Sequence, residues 1–219
     1  LEHYLSTNHI LMIGMIVTFI LTFFLLEHPF SFLPSDQGRA FAVNGSLSKG
    51  KLRGVGFIFV LCFLISSVLF LPIDVEYVIY AILLFAMMIS GYLDDASKTP
   101  WNEYKKGLID LVISVVAVLT YMNFNSTTIC FGADEIVIPK ALFLILGVIL
   151  IWVSVNVTNC TDGVDGLCAS LCSVTLLAFG VLFAPILQKY AMANFLFLSV
   201  LFAYLHFNSS PSSMLMGDA

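Results

Sequence analysis

Between Asn156 and Leu167 the chain reads Asn-Val-Thr-Asn-Cys-Thr-Asp-Gly-Val-Asp-Gly-Leu, which sets Asn156, Asn159, Asp162 and Asp165 at intervals of three. Two carboxylates and two amides between apolar runs mark a polar site. On an α-helix at ~100° per residue, three steps stop about 60° short of a turn, so the four side chains spread over roughly 180°. A straight helix cannot gather them. A 3₁₀-like turn or an unwound stretch can, and Gly163 and Gly166 make either accessible. The spacing therefore predicts that the chain leaves regular helix near Gly163. The competing interpretation is a structural loop in which Asn156 caps free backbone groups and the glycines turn the chain. Against it stands the cost of holding a carboxylate in a bilayer, roughly 2.5 to 3.5 kcal/mol at the centre and less at the interface.

Three further clusters could do chemistry. Asp94-Asp95-Ala96-Ser97-Lys98 follows an apolar run directly, and an acidic pair with a lysine suits a phosphate site. One carboxylate can take a cation or a proton there while the ammonium offsets phosphate charge. A helix end with an i to i+4 ion pair would use the same residues. Lys105 and Lys106, shortly before Asp110, are either a diphosphate clamp or interfacial anchors. Arg39 and Ser48-Lys49-Gly50-Lys51-Leu52-Arg53-Gly54-Val55-Gly56 form a basic, glycine-interrupted entry to the next apolar run. Phosphate binding by side chains and free amides is open to it, as is a plain orientation signal, and no Walker pattern is present. Asp218, near the end of Pro211 to Asp218, supplies a third acidic position.

The elements that must position these groups are membrane helices. The chain has 219 residues, of which 60% are hydrophobic and 11% charged, with mean hydropathy +1.01. Its apolar stretches are continuous rather than alternating, which selects an all-α, polytopic transmembrane fold over a β-barrel. Seven segments are expected: 10–26, 55–71, 77–93, 111–124, 141–157, 167–187 and 190–207. The first reads as a spanning helix rather than a cleavable signal, and residues 1–219 as one integral membrane domain. Seven of the nine Lys and Arg residues fall in the first and third connections. The positive-inside rule makes that side cytoplasmic and puts the N-terminus outside. Asp94 and Asp95, the 156–165 stretch and Asp218 then all share the cytoplasmic face. The five cysteines form no CxxC pair and predict no zinc site. Asn125-Ser126-Thr127 is a chance-level glycosylation sequon, and His206 reads as an interfacial residue.

Taken together, Gly91-Tyr92-Leu93-Asp94-Asp95, Asn156 to Leu167 and Met216-Gly217-Asp218 resemble the three signature loops of the polyprenyl-phosphate N-acetylhexosamine-1-phosphate transferases, in the same order. Lys98, the long asparagine and aspartate motif, and Leu33 to Arg39 with Ser48 to Lys51 are most similar to the MraY family within them, the phospho-N-acetylmuramoyl-pentapeptide transferases. The resemblance covers the whole chain. It implies transfer of phospho-MurNAc-pentapeptide from UDP-MurNAc-pentapeptide to undecaprenyl phosphate, giving lipid I and UMP, with Mg²⁺, in a ten-helix homodimer of the bacterial cell membrane. Nucleic acid is not an expected partner.

Carried over by motif, the resemblance implies Asp218 as the Mg²⁺ ligand and Asp94 and Asp95 as groups acting on the lipid phosphate. Asp162 joins the catalytic acidic cluster, with Asn159 and Gly163 at the nucleotide pocket and Asp165 supporting it; Asn156 is a further candidate for substrate binding. Lys98 and Lys106 neutralise phosphate, with Lys105 a rival for the second role. Two departures are visible. Leu215 stands where the family has a phenylalanine that stacks on uracil. The family also continues where this chain ends at Ala219, with three more helices and a histidine-rich loop, so a fragment inactive by itself is expected. The alternatives are a UDP-HexNAc transferase of the same superfamily, or a cation or proton transporter using Asp162 and Asp165.

Overall fold

The computed structural model describes residues 6–28, 30–36, 38, 48–97, 99, 101–131 and 134–218. Among the described residues seven helices run in chain order: α1 Thr7–Glu27, α2 Gly56–Phe70, α3 Val75–Asp95, α4 Glu103–Phe124, α5 Lys140–Thr161, α6 Leu167–Phe183 and α7 Gln188–Asn208. Five are long and apolar enough to cross a membrane, and the chain is a multi-pass, all-α membrane protein. The apolar α2 and α6, at 15 and 17 residues, fall short of the ~20 that a full span needs. Both are shortened by what flanks them: the turn at Gly54 and Pro72 for α2, the left-handed Gly166 and Pro185 for α6.

Two boundaries differ from expectation in ways that bear on the site. Helix α4 begins at Glu103 rather than near residue 111, because Asn102 caps it by accepting the Tyr104 N–H at 3.1 Å. Hydropathy finds only the lipid-embedded part of such a helix. Lys105, Lys106 and Asp110 therefore sit on helix and not on loop. Between α4 and α5 an antiparallel hairpin, β1 Thr128–Phe131 and β2 Asp134–Val137, pairs Thr128 with Val137, an element the hydropathy pattern does not announce. Asn125, just before it, donates from its side chain to Glu76 at 2.7 Å, so the sequon residue is engaged within the fold.

The core lies where α1, α2 and α7 meet. Leu26, Phe59, Cys62, Leu196, Val200 and Tyr204 are all nearly or fully buried there, and Phe59 packs on Tyr204 with ring centres 5.2 Å apart. His206, whose ring centre is 5.2 Å from that of Phe23, packs among aromatics rather than entering the polar site. Hydroxyls inside the helices bond back to carbonyls four residues earlier, as Thr22 does to Thr18 and Ser67 to Phe63, which satisfies them without a partner helix. Helix α5 has no buried residue and packs mainly against α4.

At one end of the bundle three extended pieces are stitched together by backbone bonds. Asp36 N–H donates to Lys51 O at 2.8 Å, Arg53 N–H to Pro34 O at 2.9 Å and Leu215 N–H to Leu52 O at 2.7 Å. This short ladder brings the segments before α2 and after α7 side by side. It is what carries Arg53 and Asp218 to the same place.

Candidate active site

Asp94 and Asp95 end α3 and, being adjacent on a helix, diverge by ~100°. Asp94 Oδ1 accepts the Trp101 N–H at 2.8 Å and closes the loop into α4. The Asp95 side chain has no exposure; its Oδ1 is 2.7 Å from Arg53 Nε. That approach is a close, enclosed ion pair. Asp95 Oδ2 accepts the backbone N–H of Asp218 at 2.7 Å. Lys98 and Arg39 lie outside the described residues.

Arg53 is the residue that sequence reasoning undervalued. Besides Asp95, its guanidinium reaches Asp36 Oδ1 at 3.4 Å and Asp218 Oδ1 at 3.3 Å. Burial acts to lower its pKa, but the Asp95, Asp218 and Asp36 carboxylates outweigh that and hold it above the ordinary arginine value. Asp36, itself buried, also accepts from the Ser48 hydroxyl and from Gly38 N–H. The available signal was an arginine flanked by glycine in a basic stretch, which is shared by any orientation segment.

Asp218 accepts from Lys106 Nζ on the first turn of α4. Burial would raise its carboxyl pKa. The hydrogen bond and charge of Lys106, then the charge of Arg53 and a bond from the Asn159 side chain, prevail and hold it below the usual carboxylate range. Lys105, by contrast, lays its ammonium 3.4 Å from the centre of the Trp101 ring. Of the two rival lysines, Lys106 belongs to the cluster.

The 156–167 stretch divides by function of place. Helix α5 ends at Thr161 and Asp162 caps it with ψ of 35°; Gly166 then adopts φ of 74° and α6 begins at Leu167. Regular helix thus stops just before Gly163, as the three-residue spacing requires. Asn159 and Asp162 line a cavity at that end. Asn156 does not; its amide donates to Trp152 O, one turn back, at 2.8 Å. Asp165 is a clasp, accepting from Ser212 N–H at 2.9 Å and Ser212 Oγ at 2.8 Å, with Lys51 Nζ at 4.0 Å. Burial would raise its carboxyl, but the two Ser212 bonds and Lys51 keep it below the ordinary range.

A second clasp, missed by sequence, is Asn208, 2% exposed. Its Oδ1 accepts Gly166 N–H at 2.9 Å and its Nδ2 donates to Met214 O at 3.1 Å, so one amide fixes the loop before α6 to the loop after α7. Gly163 is exposed between them.

The cavity has a volume of about 420 Å³. Its walls are mainly apolar, with Phe59, Leu84, Met88, Phe197 and Leu201 among them, and Lys106, Asp110, Asn159, Asp162 and Asp218 supply its charged and amide groups. Leu215 is not part of the lining; at 8% exposure it packs in the interior. Its position offers no surface for stacking on a ring in the cavity. Asp110, 2% exposed, lines the cavity and was not singled out by sequence, although an ionisable residue within an apolar helix is a signal in itself. The arrangement joins a charged centre to an apolar chamber, a combination suited to a ligand with an anionic head and a long apolar tail.

Residues 77–219 match the model of glycosyl transferase family 4. Among curated relatives, the phospho-N-acetylmuramoyl-pentapeptide-transferase of Treponema pallidum (strain Nichols) is 33% identical, over 94% of this chain and 63% of its own length. Proteins of the same name from Dictyoglomus turgidum and Microcystis aeruginosa are 26% and 30% identical, over 96% and 74% of this chain and 69% and 48% of theirs. The chain thus spans less than two thirds of the Treponema relative's length. With the helices, the acidic loops and the matched region in agreement, the chain belongs to glycosyl transferase family 4.

Proposed function

We propose that this chain carries the transfer centre of a phospho-N-acetylmuramoyl-pentapeptide transferase of peptidoglycan synthesis. The reaction moves phospho-MurNAc-pentapeptide from its UDP carrier to undecaprenyl phosphate, forming lipid I and releasing UMP. One observation carries this reading above the rest: Lys106, Asn159 and Asp218, from three distant parts of the chain, meet with Asp110 and Asp162 at a cavity whose other walls are mainly apolar. A lipid phosphate needs both environments at once.

In this reaction an oxygen of the lipid phosphate attacks the sugar-bearing phosphorus of the diphosphate, and the bond to UMP breaks. Two anions must approach, so the chain's cations do the screening. Lys106, with Lys98, offsets phosphate charge. Asp94, the less enclosed of the pair, takes any proton remaining on the acceptor phosphate, and the sealed Asp95 positions Arg53 and the Asp218 backbone. Asn159 and Asp162 meet the nucleotide diphosphate. Gly163 leaves the approach open, while Asp165 and Asn156 support the loop from behind.

Mg²⁺ is the implied cofactor, and the donor set fits it. Asp218, Asp162 and Asn159 offer hard oxygens, and among the described residues no His, Cys, Asp and Glu form a cage of three or more. A cation that keeps several waters and binds through one or two carboxylates and substrate phosphates needs no such cage. Asp218 would hold it, and when bound it would stabilise charge building up on the transferred phosphate. The seven basic residues in the first and third connections and on the first turn of α4 make this face cytoplasmic, the N-terminus outside, and a homodimer in the bacterial cell membrane is the expected assembly.

The test is UMP release by the full-length protein with undecaprenyl phosphate and Mg²⁺, offered UDP-MurNAc-pentapeptide or UDP-GlcNAc. Release with the first donor and not the second is expected. Preference for UDP-GlcNAc would move the protein to another branch of the superfamily, and ion flux in proteoliposomes without UMP release would make it a transporter. Asp218→Asn should lower turnover by on the order of 10² to 10³; undiminished Mg²⁺-dependent turnover would remove Asp218 from the metal role.

A further inference from the structure

Asp110 has no part in the scheme above, yet it is the enclosed carboxylate of the cavity. It is 2% exposed and its Oδ2 has no hydrogen-bond partner. It lies on α4 four residues after Lys106, the spacing at which side chains meet on a helix surface. The helix around it is regular: its backbone carbonyl accepts the Ser114 hydroxyl at 2.7 Å. The charges acting on it are Lys106, which attracts, and Asp218, which repels. Lys106 itself is bonded to Asp218.

A buried carboxylate oxygen without a partner is costly unless a partner arrives in another state. Lys106 has the flexible four-carbon stem to be that partner. Its departure would not strip Asp218 of cations, because Arg53 Nη2 remains 3.3 Å away. A divalent cation arriving at Asp218 repels the ammonium already there. We propose that Asp110 is the second seat of Lys106: when a divalent cation takes Asp218, the ammonium passes to the Asp110 carboxylate and stays among the cavity's polar groups. Asp110 is then a positioning residue acting through Lys106. The inference rests on the reading of Asp218 as a cation ligand.

The experiment is a Mn²⁺ titration of the detergent-purified full-length protein, followed by electron paramagnetic resonance without substrates. Asp110→Asn keeps the shape and removes the charge, and Mn²⁺ binding about fivefold weaker is expected because the displaced ammonium loses its seat. In a Lys106→Gln background the same substitution should change binding by less than about twofold, since the two residues then no longer couple. An equal loss in both backgrounds would overturn the proposal, making Asp110 a direct ligand or a source of general field. Unchanged binding in Asp110→Asn would overturn it as well. Should Asp110→Asn yield little folded protein, Asp110→Glu keeps the charge and is expected to bind Mn²⁺ like the parent, whereas a loss of about fivefold there would count against the proposal. A parent that binds no Mn²⁺ would instead refute the cation role of Asp218, and this inference with it.

Discussion

The backbone N–H of Asp218 donates to Oδ2 of Asp95 at 2.7 Å, joining the end of α3 to a loop 123 positions later. Arg53 closes the triangle by pairing with both carboxylates. Without it, two acidic side chains would face one another with one of them wholly enclosed. The site is therefore held by a cation that belongs to the chain, before any substrate is considered.

Replacing that cation should be costly. Arg53→Gln strands the unexposed Asp95, and breaking a buried pair by removing one partner costs roughly 3 to 5 kcal/mol. Because the Arg53 side chain is 27% exposed, the lower end is expected. The check is the unfolding temperature in detergent, where Arg53→Lys should recover part of the loss and Arg53→Gln with Asp95→Asn most of it.

Gly217 admits no side chain. Its φ is 76°, and a Cβ there would overlap the Asp95 carboxylate and lie 2.7 Å from Gly54 N. Gly217→Ala must push Asp218 away from Asp95, so a fall of at least about tenfold in UMP release is expected, given that a displacement of ~1 Å can cost on the order of 10²-fold. Unaltered turnover would show that the approach of Gly217 to Asp95 is unimportant.

Asn208→Asp is a sharper probe than alanine. It keeps the acceptor for Gly166 N–H but turns the donor facing Met214 O into a second acceptor. Leaving buried groups unsatisfied costs about 1 to 3 kcal/mol each, more with a charge. Destabilisation by chemical denaturation should exceed that of Asn208→Ala, and protease cleavage in the 163–166 or 209–218 loops should rise.

Asp165 gives a pH dependence whose sign follows from its bonds. Its carboxyl is lowered in the folded state by Ser212 and Lys51, against burial, so the folded protein binds that proton more weakly than the unfolded chain. The stabilisation is complete above the unfolded value near ~3.9 and disappears as pH falls through the folded value below it. The difference in unfolding temperature between the parent and Asp165→Asn should therefore be constant from about pH 7 to pH 5 and shrink below about pH 4. A difference that instead grows on acidification would contradict the clasp.

The sequence by itself determined whatever depends on neighbours along the chain. Hydropathy located all seven helices because a bilayer selects continuous apolar runs, and the three-residue spacing with two glycines located the break after Thr161, a local backbone property. It also picked out Asp162, Asn159, Lys106 and Asp218, which do meet. It could not read the first turns of α4 or the hairpin at 128–137, since both are polar enough to look like loop. Nor could it separate Asp94 from Asp95 or Lys105 from Lys106. Neighbouring side chains on a helix leave it ~100° apart, so their partners are chosen by whatever packs alongside. Only the tertiary structure decided those partners: Trp101 for Asp94 and Lys105, Arg53 and Asp218 for Asp95 and Lys106. The partners of Arg53 and Asp110 could not be read from sequence for the same reason. Their significance lies in charges brought close by the ladder before α2 and after α7 and by the packing of α4, and charge acts through space rather than along the chain.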